Sequence, residues 1–88
     1  MEEENKIVLF ALSTCSACRK TKELLNKNGI KYLLVELDVI DVDSKNKLME
    51  EVRRFNPRET FPTLVVGGGK QIVVGFNEEA LKNAFGLA

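Results

Sequence analysis

Two cysteines, Cys15 and Cys18, stand three positions apart where an apolar run, Ile7 to Leu12, gives way to a helical pattern; the chain has no others. A run this short, with β-branched and aromatic members, reads as a strand buried on both faces. Ser13-Thr14 supplies turn chemistry after it, which places Cys15-Ser16-Ala17-Cys18 at the head of a helix. Positions three apart on a helix share one face with Cβ atoms about 5–6 Å apart, within reach of a disulfide after small adjustment. Unpaired N–H groups and the positive end of the helix dipole favour a thiolate at the first position. An ordinary thiol has a pKa of about 8.5, and such helix N-terminal thiols fall to roughly 3.5–7.5. Lys20 and Lys22 add positive charge in the following turn and are expected to stabilise the thiolate. Cys15 is therefore the candidate nucleophile and Cys18 the resolving thiol, the two forming a redox-active disulfide.

Other readings of the pair carry less. A structural zinc site needs four ligands, and a chain with two cysteines and no histidine cannot close one alone. A disulfide closing so short a loop yields little chain-entropy stabilisation. Burial as apolar filler is common for single cysteines, but it does not account for this spacing at a helix start.

With 88 residues the chain makes one small domain, residues 1–88. Thirteen basic residues balance thirteen acidic ones, so no field is expected that would draw nucleic acid or anionic lipid. The start, Met1-Glu2-Glu3-Glu4-Asn5-Lys6, lacks a basic segment leading into a long apolar one, and no secretory signal is read there. No apolar run approaches the ~20 residues that span a bilayer. A cytoplasmic location is the expectation, and there a close cysteine pair is catalytic or redox-sensing rather than a permanent staple.

The rest of the chain reads in order. A first helix is predicted over roughly 16–28, with Ala17, Cys18, Thr21, Leu24, Leu25 and Asn28 inward and Gly29 as its stop. A second strand is expected over 31–38, and two strands joined by such a helix imply a parallel pair. Asp41, Asp43 and Ser44 offer turn and cap chemistry for a second helix from about Lys45 to Phe55, ended by Asn56-Pro57. A third strand is expected to open at Phe61-Pro62. Gly67-Gly68-Gly69 then turns a hairpin into Gln71-Ile72-Val73-Val74. The phosphate-loop reading of that triplet fails, since no Gly-Lys-Ser/Thr opens a helix after it. Asn77 caps a last helix with Leu81, Ala84 and Phe85 inward. The order is β-α-β-α-β-β-α, an α/β fold.

Three motifs now coincide: Cys15-Ser16-Ala17-Cys18, Thr60-Phe61-Pro62 before the third strand, and Val74-Gly75-Phe76-Asn77 before the last helix. Together they resemble a glutaredoxin of the thioredoxin superfamily, over Lys6 to Gly86. The resemblance implies a thioredoxin-like fold, a four-stranded mixed sheet flanked by three helices, with Pro62 cis and facing the cysteines. It implies that Phe61 pairs backbone to backbone with an extended thiol substrate, and that Thr60, Pro62, Gly75, Phe76 and Asn77 complete the substrate-binding surface. No bound cofactor is implied. The partners implied are disulfide-containing proteins, with a reductase or glutathione as electron donor, acting on a monomer. The chain departs from glutathione-using members at Leu12, where they commonly carry lysine, at Ser16-Ala17, where Pro-Tyr is frequent, and before the last helix. Its Gly75-Phe76 pair is similar to small redoxins served by a flavin or iron–sulfur reductase. The alternative is an iron–sulfur cluster carrier, two chains bridged through Cys15 and outside thiols.

Overall fold

The structure, a computed structural model, describes residues 6–87. The acidic start at Met1–Asn5, on which the absence of a secretory signal was read, lies outside the described residues.

Strand β1, Ile7–Ala11, is the apolar run, and the alternation of its side chains builds two cores. Leu9 and Ala11 point to one face, where they join Cys18, Leu25, Leu64, Val73 and Leu81. Phe10 points to the other and joins Leu37, Val52 and Val65. Helix α1, Ser16–Lys27, covers the first face through Cys18, Thr21 and Leu25. Gly29 ends it with φ +68°, a backbone region that glycine enters without steric cost. Asn28 is not inward: it is exposed, and its Nδ2 donates to the Leu24 carbonyl at 2.8 Å, closing the helix end.

Strand β2, Leu33–Glu36, runs parallel to β1, with Val8 opposite Leu33 and Ala11 opposite Glu36. It is shorter than the expected 31–38, because pairing stops at the end of β1 and Asp38 turns to other work. Helix α2, Val42–Phe55, starts three residues before the expected Lys45. Asp41 is its cap: Oδ2 accepts the Ser44 N–H at 3.0 Å and the carbonyl accepts the Lys45 N–H at 2.9 Å. Its buried Val52 packs on the second face.

Strand β3, Thr63–Val66, lies antiparallel to β1, and Phe61-Pro62 stands outside it rather than opening it. Glycines 67, 68 and 69 all take positive φ and lead into β4, Gln71–Val74, antiparallel to β3. Only glycine suits the last of them on two counts, since a Cβ at Gly69 would stand 2.9 Å from the Phe55 ring. Helix α3, Glu78–Ala84, is capped by the Asn77 side chain, whose Oδ1 accepts the Ala80 N–H at 3.0 Å. The sheet order is β2-β1-β3-β4, a mixed four-stranded sheet with three helices, as expected. None of the described helices is long and apolar enough to cross a membrane.

This arrangement puts the end of β1 and the start of β3 side by side at one rim of the sheet, and the cysteines sit there. Burial decides what each apolar side chain contributes. Leu9→Ala, at 0% exposure, should lower unfolding free energy by about 2–5 kcal/mol. Leu33→Ala, at 56% exposure, should change it by no more than about 0.5 kcal/mol. Urea melts of the two variants check this, and comparable losses would contradict the assignment of the core.

Candidate active site

Cys15 is the N-cap of α1, in extended conformation with φ −86° and ψ 122°. A cap normally lends an oxygen to a free N–H of the first turn. Here the sulfur does so: Cys15 Sγ accepts the Cys18 N–H at 3.3 Å. The residues before it are held on both sides. The Cys15 N–H reaches the Leu12 carbonyl at 3.2 Å. Ser13 donates its N–H and its hydroxyl to the two Asp38 carboxylate oxygens, at 2.9 and 2.5 Å. Those bonds hold the Asp38 carboxyl below the usual carboxylate range.

Both thiols are free, and they differ sharply in setting. Cys15 is half-buried, whereas Cys18 is wholly buried in the first core. Desolvation pushes the Cys15 thiol up, but hydrogen bonds from the Cys18 side chain and from the Cys18 and Ala17 backbone outweigh it, and Cys15 ends below its ordinary value. Burial pushes the Cys18 thiol up to about 11, with its hydrogen bond to Cys15 adding to the rise. The expected asymmetry of the pair is present, but its source differs from the one predicted. The charge of Lys22 acts on Cys18, and its Nζ pairs with Glu36 at 3.1 Å. Lys20 is exposed on the helix surface. What favours a thiolate at Cys15 is the cluster of donors at the helix start.

Opposite Cys15 stands the loop between α2 and β3. The Phe61-Pro62 bond is cis, as expected, and the Phe61 carbonyl oxygen lies 4.0 Å from Cys15 Sγ. Phe61 packs against both cores, which fixes its backbone at the rim. Gly75, with φ +78°, donates its N–H to the Pro62 carbonyl at 2.8 Å and draws the turn before α3 to the same place. Thus Cys15, Cys18, Phe61, Pro62 and Gly75 converge. Phe76 is half-buried against the first core. Asn77 is exposed; its Oδ1 caps α3 by accepting the Ala80 N–H, which leaves the Nδ2 donors of the side chain facing outward for a partner. Thr60 is exposed, but its carbonyl and hydroxyl both accept from Asn56 Nδ2, at 3.0 and 3.2 Å.

Three residues that brace the loops around this site escape a reading of the sequence. Ser13 shows only as turn chemistry and Asp38 only as the end of a strand. Asn56 shows only as a helix stop before Pro57. Their partners lie in other elements, and no local pattern announces them. Leu12, just beyond the end of β1, is half-buried and packs against the second core.

The buried thiol gives a pH dependence with a definite sign. The unfolded chain ionises Cys18 near its ordinary value of 9.0, whereas the native chain holds the proton up to about 11. The native state then binds more protons within that window, so stability falls as pH rises through it, by on the order of 2–3 kcal/mol. Below pH 9 the contribution is fully present. Urea melts of the reduced protein and of Cys18→Ala, taken at several pH values, should show the difference between them shrinking across this window. A constant difference would contradict it.

Comparison with known proteins agrees with this geometry. The glutaredoxin family model matches residues 7–72. The chain is 35% identical over 72 residues to a glutaredoxin-like 8.6 kDa protein of the rubredoxin operon of Clostridium pasteurianum, covering 82% of this chain and 87% of that one. Methanoredoxin of Methanosarcina acetivorans superposes with a TM-score of 0.89 at 37% identity, over 96% of this chain and 87% of that one. A glutaredoxin of Methanosarcina mazei Go1 gives 0.85 at 36%, over 93% and 79%. Against longer relatives the match is partial: it spans 40% of rat mitochondrial glutaredoxin-2 and 62% of pig glutaredoxin-1, each 30% identical. With a thiol pair at the head of α1, a cis-proline loop opposite and a family match over most of its length, the chain belongs to the glutaredoxin family, within the thioredoxin superfamily.

Proposed function

We propose that the chain is a dithiol–disulfide oxidoreductase that reduces disulfides of proteins or small molecules. The observation that carries this is the pairing of a half-exposed sulfur that accepts a helix N–H with a wholly buried, protonated thiol three residues on. The Cys15 thiolate attacks one sulfur of a disulfide R–S–S–R′, forming Cys15–S–S–R and expelling R′S⁻, which takes up a proton. Cys18 then loses its proton and attacks Cys15 Sγ. The Cys15–Cys18 disulfide forms and RS⁻ leaves, also to be protonated. Two electrons have passed from the pair to the substrate, and two thiols of a donor return the pair to its reduced form.

Burial of Cys18 supports its role as second attacker, because a thiol held near pH 11 does not compete for substrate. It becomes a better nucleophile once Cys15 is no longer anionic, since its bond to that sulfur is one of the causes of its raised value. Phe61 supplies the backbone that an extended substrate would meet. Thr60, Pro62 and Gly75 hold that backbone in place, and Phe76 and Asn77 extend the surface. The electron donor is a reductase or glutathione, and Leu12, packed against the second core, does not discriminate between them. We assign the chain to the cytoplasm as a monomer of one domain, where a reductase would keep the pair cycling. A cluster-bridged dimer is told apart by visible absorbance after anaerobic purification, because a four-thiolate cluster exceeds the two cysteines of one chain.

The direct test is substitution of each thiol. Cys15→Ser should abolish disulfide reduction. Cys18→Ser should still attack and should accumulate substrate bound through Cys15, seen as the added mass in a non-reducing spectrum. Trapping on Cys18 in the Cys15→Ser variant would reverse the roles.

A further inference from the structure

We infer that Asn56 is a positioning residue: its buried side chain holds the loop that presents Phe61, so it governs the fit of extended disulfide substrates rather than the reactivity of Cys15. The inference rests on the exchange reading above and deepens it.

Asn56 closes α2 and is 4% exposed, a rare position for a carboxamide unless every polar atom is used. All of them are. Its backbone N–H donates to the Val52 carbonyl and its carbonyl accepts the Glu59 N–H at 2.9 Å. Side-chain Oδ1 accepts the Arg58 N–H at 3.2 Å. Nδ2 is directed at three acceptors: the Thr60 carbonyl at 3.0 Å, the Thr60 hydroxyl at 3.2 Å and the Thr63 hydroxyl at 3.0 Å. Thr63, itself 0% exposed, passes its own hydroxyl proton to the Thr60 carbonyl at 2.8 Å.

One side chain therefore organises residues 58–63 from inside. The loop it wraps is tight, with Glu59 at φ +54°, an uncommon region for a residue bearing a side chain. The bonds grip Thr60 and Thr63, the residues that flank Phe61-Pro62. The network claims neither the N–H nor the carbonyl of Phe61, the groups a strand-like substrate would pair with. The bonds of the network run to Thr60, Thr63, Arg58 and Glu59, and none reaches either cysteine. Loss of the network should thus loosen the surface that receives a peptide and leave the sulfur chemistry as it is. Asn suits the position because it supplies two donors and one acceptor from a single planar group. Aspartate has the shape but no donor for the Thr60 carbonyl.

The test compares two substrates with one leaving group: an extended peptide joined by a mixed disulfide to nitrothiobenzoate, and nitrothiobenzoate disulfide without a peptide. In Asn56→Ala and in Thr63→Val, KM for the peptide disulfide should rise about tenfold with kcat little changed. The rate with the peptide-free disulfide, and the alkylation rate of Cys15, should stay within about twofold of the parent. Thr63→Ser, which restores the hydroxyl, should recover the parental KM. An unchanged peptide KM in a variant that melts cooperatively would overturn the inference, and so would equal slowing of both substrates. Thr63→Val keeps the side-chain shape and carries the test if Asn56→Ala does not fold. Failure of both to fold would assign the cluster to stability alone. A parent protein inactive on both disulfides would instead refute the exchange reading itself.

Discussion

The hydrogen bond from the Cys18 N–H to Cys15 Sγ ties the chemistry of this chain to its fold. A helix start has N–H groups with no partner inside the helix, and some group must accept them. Most helices use an oxygen for this, as α2 uses Asp41 and α3 uses Asn77. In α1 the acceptor is sulfur, and a thiolate accepts better than a thiol. Forming the helix and stabilising the anion are therefore one event. The second cysteine is drawn into the first core by the same helix, because residues three apart share a face. Two identical side chains thereby acquire opposite acid strengths without any charged neighbour being required at the first.

The rest of the molecule holds this arrangement at an edge where a partner could reach it. Strand β1 is buried on both faces and brings the chain to the rim, and Asp38 fastens Ser13, two residues before Cys15, through both of its oxygens. On the other side, Phe61 is clamped between the two cores and Gly75 binds the Pro62 carbonyl. Most of these contacts join elements distant in sequence, so the site exists only in the assembled fold. Helix α2 covers the other face, over the second core. The buried members of that core are Phe10, Leu37, Val52 and Val65.

Much of this was legible beforehand, and the reasons are local. The strand β1, the limits of β4, the glycine hairpin and the caps at Asn77 and Gly29 follow from alternation, glycine geometry and side-chain capping, each of which acts within a few residues. The thiol pair was legible for the same reason. The errors arise where a distant partner decides. Asn28 fits an inward helical position, but its side chain is exposed and closes the helix through the Leu24 carbonyl instead. The start of α2 moved to Val42 because Asp41, rather than a later residue, takes the capping role. Lys22 stood in the right turn to stabilise Cys15, yet Glu36 on the neighbouring strand holds its ammonium and its field falls on Cys18. Asn56 carried no signal beyond its place before a proline, because its side-chain bonds depend on where Thr60 and Thr63 fold back.

Separation of the two thiols in acid strength is the claim on which the account turns, and thiolate absorbance near 240 nm measures it without any partner protein. Titrated in the reduced form, the protein should gain one thiolate below the ordinary thiol value of 9.0 and a second only near pH 11. The first step should vanish in Cys15→Ser and the second in Cys18→Ser. Two thiolates appearing together around pH 9 would contradict the account.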